Sequence, residues 1–250
     1  MAELTSKAKK EIQFFDGPQN RWKNLGYAIS VFFEFIKGFR ALHFVGPCVT
    51  VFGSARFKED HPFYKQAREL SGEIAKLGFT IMTGGGPGIM EAANRGAKDV
   101  GGKSIGCNII LPHEQHHNNY LDRWVDLRYF FVRKMLLIKY SYAFIVMPGG
   151  FGTLDEFFSA ITLIQTRKIE LFPIIIFDND FYQKIVEHNH KMLEAGTISE
   201  ADESLYIVTD SIPEAIDYIK QKSILAFGLK YMKHKKPFWY LFENGGRKIF

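Results

Sequence analysis

Residues 143–166, AFIVMPGGFGTLDEFFSAITLIQT, predict a strand, a glycine-rich turn and a helix in direct succession. The apolar run 143–147 has the length of a buried strand, and the helical spacing extends over 153–166. A second stretch, TIMTGGGPGIMEAANRGA at residues 80–97, has the same order of strand, glycine-rich turn and helix. Two such units predict parallel strands joined by helical crossovers.

The alternation of strands and helices continues through most of the chain. The predicted strands cover residues 49–52, 79–82, 104–110, around 127–131, 143–147, 174–177 and 206–208. The predicted helices cover residues 20–45, 62–77, 89–100, 132–141, 153–166, 181–194 and 213–220. This order predicts an α/β protein with a Rossmann-like, doubly wound parallel sheet and helices on both faces. We expect one catalytic domain over residues 47–220, a helical extension over 1–46 and a basic, aromatic extension over 221–250.

Composition excludes several classes of protein. With 46% hydrophobic and 24% charged residues, the 250-residue chain has the composition of a globular protein. Two cysteines are too few for a disulfide scaffold, and no apolar run has the length of a membrane-spanning helix. We therefore expect a cytoplasmic protein without a membrane partner. The net charge of +5 fits an anionic ligand, and six Lys or Arg residues against one Glu make residues 229–250 basic.

The two glycine-rich turns, TGGGPG and PGGFGT, indicate a phosphate-containing ligand. Glycines let backbone N–H groups approach an anion closely, and the helix N-terminus behind each turn adds partial positive charge. Thr153 offers either a hydroxyl donor or a helix cap. Other nucleotide motifs do not fit, because Ile89 replaces the third glycine of G-x-G-x-x-G and Ala97 replaces the first glycine of a P-loop.

Charged residues near these turns are candidates for chemistry. Glu156 follows Thr153 by three residues, so it either faces the ligand or forms a capping box with Thr153. Arg133 and Lys134 follow a predicted strand end and either face the crevice or begin a solvated helix. The histidines of LPHEQHHNNY, residues 111–120, lack the spacing of known zinc motifs, and we predict no metal site.

Three strings resemble the LONELY GUY family of cytokinin riboside 5′-monophosphate phosphoribohydrolases, over residues 47–220. They are TGGGPGIMEAANRGA at 83–97, Arg133-Lys134-Met135, and PGGFGTLDE at 148–156. The resemblance implies hydrolysis of N6-modified AMP, or of AMP itself, to free base and ribose 5-phosphate, with no cofactor and in a homodimer or larger assembly. It implies Arg133 and Glu156 as catalytic residues. The implied substrate-binding residues are Ser54, Gly85, Gly86, Lys134, Gly149, Gly150, Gly152 and Thr153.

Two alternatives to this enzyme remain open. The same turns suit a nucleotide-sensing module without catalysis, and the basic residues of 229–250 suit a nucleic-acid-binding protein, although nucleic acid is the less favoured partner. A lysine decarboxylase, an older label of such proteins, lacks support because no lysine is marked as the attachment site for pyridoxal phosphate. The apolar positions of helix 20–45 suggest a contact between subunits.

Overall fold

The computed structural model describes Phe15 and residues 17–111 and 116–225 of the chain. His113 and the basic segment 229–250 lie outside the described residues. No helix in the described ranges is long and apolar enough to span a bilayer. The predicted division of the chain at residues 46 and 220 stays a prediction.

The centre of the protein is a seven-stranded parallel sheet with the strand order β4-β3-β2-β1-β5-β6-β7. The strands are β1 (Cys48–Phe52), β2 (Thr80–Thr83), β3 (Ser104–Ile109), β4 (Arg123–Leu127), β5 (Ser141–Val146), β6 (Ile174–Phe177) and β7 (Ile207–Thr209). The helices are α1 (Arg21–Leu42), α2 (Pro62–Lys76), α3 (Ile89–Asp99), α4 (Phe130–Tyr140), α5 (Phe151–Gln165), α6 (Asn179–Glu194), α7 (Glu200–Glu203) and α8 (Ile212–Ile219), followed by a π-helical turn (Lys220–Leu225). The prediction of a Rossmann-like α/β fold is confirmed.

Successive side chains of a strand point to opposite faces of the sheet. Both faces are apolar here, and helices cover both of them. Cys48 and Phe52 of β1 belong to a core cluster with α4 and α5, whereas Val49 and Val51 belong to a second cluster with α2, α3 and α8. The central strands β1, β2 and β3 are buried along their whole length, as expected for a parallel sheet covered twice.

The prediction of a strand near residues 127–131 is wrong. The strand β4 ends at Leu127, and helix α4 already begins at Phe130. The aromatic pair Phe130-Phe131 has the composition of a strand, but both side chains are exposed at the start of α4. β4 itself is an edge strand with half-buried Arg123 and Trp124, so it carries no continuous apolar run that sequence patterns detect.

The strand order reverses between β1 and β5, which therefore lie side by side. Crevices at such reversals bind ligands in open α/β sheets, beyond the carboxyl ends of the strands. Ser54, directly after β1, connects the turns there: its N–H donates to Pro148 O (3.0 Å), and its carbonyl accepts from Ile89 N (2.9 Å). The turns that follow β1, β2 and β5 thus meet at one edge of the sheet.

Helix α1 packs antiparallel to the edge strand β4. Arg123 donates to the carbonyl of Ala41 (3.2 Å), whereas Glu34 pairs with Arg128, just beyond the end of β4. The Glu34 carboxylate is 2% exposed and accepts from Arg128 N (2.6 Å) and Nε (2.9 Å). This buried ion pair is the main polar attachment of α1 at the carboxyl edge of the sheet.

Replacing Arg128 by methionine is expected to lower the free energy of unfolding by about 2 kcal/mol, because it leaves a buried carboxylate with one backbone donor. Urea unfolding followed by circular dichroism measures this loss. The exposed Lys168 provides the control, since Lys168→Met removes an equal charge without a buried partner. Equal stabilities of the two variants would contradict the importance of the Glu34 pair.

Candidate active site

The turn PGGFGT after β5 leaves an open space at the start of helix α5. Gly150 is the N-cap residue, and Gly150, Phe151 and Gly152 are exposed. A Cβ placed on Gly150 or Gly152 would meet no atom within 4 Å. The first N–H groups of a helix have no intrahelical acceptor and carry partial positive charge. The turn therefore presents backbone donors to a volume that a phosphate group can enter.

The beginning of the turn is packed rather than open. A Cβ on Gly149 would overlap Thr153 Oγ1 and lie 3.1 Å from Ser54 N, so only glycine fits between these two groups. Beneath the turn, the buried hydroxyl of Tyr182 donates to Met147 O (2.8 Å) and fixes the end of β5 to helix α6. Sequence analysis missed Tyr182, because nothing in the local pattern of α6 distinguishes it from a core aromatic residue.

The substitution Gly152→Ala tests the open volume. We expect unchanged or slightly higher thermal stability, since alanine favours a helix and the site is sterically free. We expect the KM for a phosphorylated substrate to rise by at least ~10-fold, because the added methyl group occupies the anion's place. Steady-state kinetics and thermal unfolding measure the two effects. An unchanged KM would place the phosphate elsewhere.

The turn TGGGPG after β2 differs from PGGFGT, because side chains already bond the amide of Gly85 and the carbonyl of Gly86. Gly85 N donates to Thr83 Oγ1 (2.9 Å), which in turn donates to Asn94 Oδ1 (2.6 Å). Asn118 donates from Nδ2 to Asn94 Oδ1 and Gly86 O, both at 3.0 Å. The amide of Gly85 thus serves the turn itself, whose left-handed backbone at Gly85 (φ +75°) explains the glycine.

Asn94 and Asn118 are site-forming residues that sequence analysis missed. Both are buried, and their hydrogen bonds fix the shape of the TGGGPG turn. Asn94 interrupts an Ala-rich helix face in EAANRGA, which is the one sequence signal that marks it. Asn118 lies in the polar loop whose residues 112–115 are outside the described ranges.

Glu156 lies in the second turn of α5 and is only 3% exposed. The capping box with Thr153 does not form, because α5 begins earlier, with Gly150 as its N-cap. The buried Oε2 atom of Glu156 accepts no hydrogen bond from the described part of the chain. Burial raises the pKa of Glu156, while the positive charges of Arg133 and then Lys134 lower it. A buried carboxylate with an unused oxygen is suited to act on a ligand.

Arg133 links the TGGGPG turn to Glu156. Its Nε donates to Cys107 O in β3 (3.0 Å). Its guanidinium lies against Gly84, where a Cβ would come within 2.5 Å of Arg133 Nη2. Among the nearby charges, the positive charge of Arg133 lowers the pKa of Glu156 the most. The charge of Arg133, on α4, therefore acts on the carboxylate of Glu156, on α5.

Lys134 connects helices α4 and α5. Its Nζ donates to Asp155 Oδ1 and to Ser159 Oγ, each at 2.9 Å. Both acceptors are on α5, one on either side of Glu156 in sequence. Lys134 thus holds the helix that carries Glu156, and it adds positive charge near that carboxylate.

A further polar cluster borders the TGGGPG turn at the carboxyl ends of β3 and β4. Asp126 Oδ1 pairs with His117 Nε2 (2.6 Å) and accepts from Asn108 Nδ2 (3.0 Å). The Cβ of Asn108 lies 3.9 Å from the position of a Cβ built on Gly85. Of this cluster the sequence pointed only to His117, through the histidines of residues 111–120. The signal for the cluster is a polar residue near the end of each of two neighbouring strands.

The chain is similar to a family of known proteins. The model of a family described as "Possible lysine decarboxylase" matches residues 90–219, about half of the chain. A cytokinin riboside 5′-monophosphate phosphoribohydrolase from Rhodococcoides fascians is 28% identical over 177 residues, covering 69% of this chain and 88% of that protein. A protein of the same name from Mycobacterium tuberculosis is 29% identical over 155 residues, covering 60% of this chain and 81% of that protein.

A solved structure has a similar fold. The molybdenum cofactor carrier protein from Chlamydomonas reinhardtii superimposes with a TM-score of 0.52 and 26% identity, covering 72% of this chain and 99% of that chain.

Proposed function

Because the chain belongs to the LONELY GUY family, whose family model is described as possible lysine decarboxylase, we propose that it is a phosphoribohydrolase of nucleoside 5′-monophosphates. Its substrate is N6-modified AMP or AMP, and its products are the free base and ribose 5-phosphate. The names of the curated relatives support a hydrolase that acts on nucleoside monophosphates.

One observation carries this proposal: a buried carboxylate with an unused oxygen lies on the helix whose N-terminus forms the open PGGFGT turn. The 5′-phosphate binds at the N–H groups of Phe151 and Gly152, and the ribose then extends toward Glu156. Binding at the phosphate is remote from the bond that breaks, so its binding energy holds the sugar in a reactive position.

The reaction exchanges a C–N bond for a C–O bond at C1′ of the ribose. The bond between C1′ and the base nitrogen breaks with its electron pair staying on the base, and positive charge develops on the sugar. Ionised Glu156 stabilises that charge and orients the attacking water, whose oxygen bonds to C1′. The proton released by the water ends on the departing base. Arg133 orients the phosphate or ribose, and its positive charge opposes the rise that burial causes in the pKa of Glu156.

The family description names a lysine decarboxylase, which implies pyridoxal phosphate bound to a lysine amine. Lys134 is the lysine that the candidate site offers, and its ammonium is held between Asp155 and Ser159. An amine that is already bonded to a carboxylate and a hydroxyl is not free to form a Schiff base. The residues at the site therefore do not fit this cofactor.

Release of free base from the full-length protein tests the proposed function. We expect turnover of AMP or of N6-isopentenyl-AMP, separated by liquid chromatography, with ribose 5-phosphate in equal amount. Adenosine is the control, and its kcat/KM is expected to be at least ~10²-fold lower because it lacks the phosphate. Comparison of the two nucleotides identifies the preferred base. Nucleotide binding without base release would instead favour a sensor or carrier, and salt-sensitive binding of DNA alone would favour a nucleic-acid-binding protein.

A further inference from the structure

The polar cluster beside the TGGGPG turn contains an imidazole and a carboxylate that the proposed mechanism does not use. His117 Nε2 lies 2.6 Å from Asp126 Oδ1, and Asn108 Nδ2 donates to the same oxygen (3.0 Å). Because a carboxylate oxygen only accepts hydrogen bonds, the hydrogen of the first contact is on Nε2 of the imidazole. Nδ1 of His117 makes no hydrogen bond with the residues that the structure describes. One nitrogen of the ring is thus anchored, and the other one is free to meet a ligand.

The imidazole is held at the TGGGPG turn by its neighbours. Its ring packs on the indole of Trp124, with ring centroids 4.9 Å apart. The next residue, Asn118, bonds the turn directly: its N–H donates to Gly85 O and its Nδ2 to Gly86 O, both at 3.0 Å. These two glycines are among the predicted substrate-binding residues. The side chain of His117 is 28% exposed, so a ligand at the turn can reach it.

The strand order separates this pair from the proposed phosphate site by the length of a nucleotide. The phosphate site follows β5, and in the sheet β1 and β2 lie between β5 and β3. With ~4.8 Å between neighbouring strands, β3 is ~14 Å from β5, which is comparable with an extended mononucleotide. Arg133 connects the two ends, because it donates to Cys107 O, next to Asn108, and its charge acts on Glu156. A nucleotide with its phosphate at PGGFGT and its ribose at Glu156 is therefore expected to direct its base toward His117.

We propose that His117 is the general acid that protonates the departing base, and that Asp126 positions its imidazole. The inference rests on the proposed function and assigns a group to a step that its mechanism requires. As the bond between C1′ and the base nitrogen breaks, the electron pair stays on the base, and a proton passes from Nδ1 of His117 to a ring nitrogen of the base. Nε2 keeps its hydrogen on Asp126, so the imidazole becomes neutral. The proton lost by the attacking water restores the imidazolium before the next turnover, so the net transfer is from water to base.

The two predicted catalytic residues do not supply this proton themselves. Glu156 acts as an anion when it stabilises the positive ribose, so it has no proton to give at that moment. The guanidinium of Arg133 keeps its protons in proteins. Histidine is the side chain that most readily gives and regains a proton near neutral pH, and its second nitrogen is commonly oriented by a carboxylate. His117 with Asp126 therefore has the chemistry of the missing acid.

Two substrates with different leaving groups test the proposal on the full-length protein. The preferred nucleotide, AMP or N6-isopentenyl-AMP, releases a base that needs a proton. The para-nitrophenyl riboside 5-phosphate releases nitrophenolate, a stable anion that needs none, although its ribose and phosphate are the same. We expect His117→Gln to lower kcat/KM for the nucleotide by ~10²-fold and to change kcat/KM for the nitrophenyl substrate by less than ~3-fold. Release of free base and of nitrophenolate measures the two rates.

Two further variants test the positioning role and supply a control. Asp126→Asn is expected to lower kcat/KM for the nucleotide by ~10-fold and to spare the nitrophenyl substrate, because a neutral amide holds Nε2–H less firmly than a carboxylate. His116, the exposed neighbour of His117, provides the matched control. His116→Gln is expected to leave both rates within ~2-fold of the parental protein, as for other surface substitutions. Retained release of nitrophenolate shows in each case that the variant is folded.

The outcomes distinguish this inference from the proposed function. Equal losses for both substrates in His117→Gln would give the pair a structural role, and parental turnover of the nucleotide would remove His117 from the mechanism. Either result overturns the inference, whereas base release by the parental protein still supports the proposed function. Release of neither leaving group by the parental protein would overturn both. If circular dichroism shows that His117→Gln does not fold, the same comparison of substrates with Asp126→Asn decides.

Discussion

Glu156→Gln is expected to lower kcat by at least ~10²-fold and to change KM little. Glutamine has the size of glutamate, so it preserves the packing of a side chain that is 3% exposed. It lacks the negative charge that stabilises the positive ribose, an interaction that exists mainly in the transition state. A group of this kind affects kcat rather than KM.

The neighbouring carboxylate supplies the control for this experiment. Asp155 is one residue earlier on α5, but its side chain is half exposed and pairs with Lys134 (2.8 Å). Asp155→Asn is therefore expected to keep kcat within ~3-fold, since screened surface pairs contribute little. Steady-state base release with both variants measures the difference. Parental turnover by Glu156→Gln would remove Glu156 from the mechanism.

Arg133→Met is expected to lower kcat/KM by ~10²- to 10³-fold and to move the acidic limb of the pH profile to higher pH. The magnitude reflects the loss of a charged contact to the substrate together with a weaker transition state. The direction of the pH shift follows from the charge of Arg133, which lowers the pKa of buried Glu156. Without that charge the pKa of Glu156 rises, so the carboxylate ionises, and activity appears, at a higher pH.

Lys134→Met separates the shift of the pH profile from the loss of a contact to the substrate. It also removes a positive charge that lowers the pKa of Glu156, so we expect its acidic limb to move in the same direction. Its amine contacts Asp155 and Ser159 rather than the turn at Gly84, and we expect a loss of only ~10-fold at the optimum pH. Profiles of kcat/KM between pH 4 and 9 record both variants. An acidic limb that stays in place for Arg133→Met would contradict the electrostatic link between Arg133 and Glu156.

Local patterns predicted most of the fold because each β–turn–α unit is specified by nearby residues. The apolar run before PGGFGT and the helical spacing after it determine β5 and α5 without distant contacts. The prediction failed at residues 127–131, where the aromatic residues of a helix start have the composition of a strand. It also missed the polar edge strand β4, which is held in place by its contacts with β3 and α1.

The sequence by itself determined the class of fold and the two glycine-rich turns, because short-range spacing and glycine geometry determine these features. Arg133 and Glu156 became catalytic candidates together through the resemblance to the LONELY GUY family. Only the tertiary structure distinguished the turns: the Gly85 amide is already bonded to Thr83, whereas Gly150 and Gly152 border open space. It also decided that Glu156 is buried with an unused oxygen, and that apolar side chains of α1 such as Trp22 and Phe32 are exposed. Burial, hydrogen-bond partners and pKa values depend on residues far apart in the chain, and the folded arrangement brings those residues together.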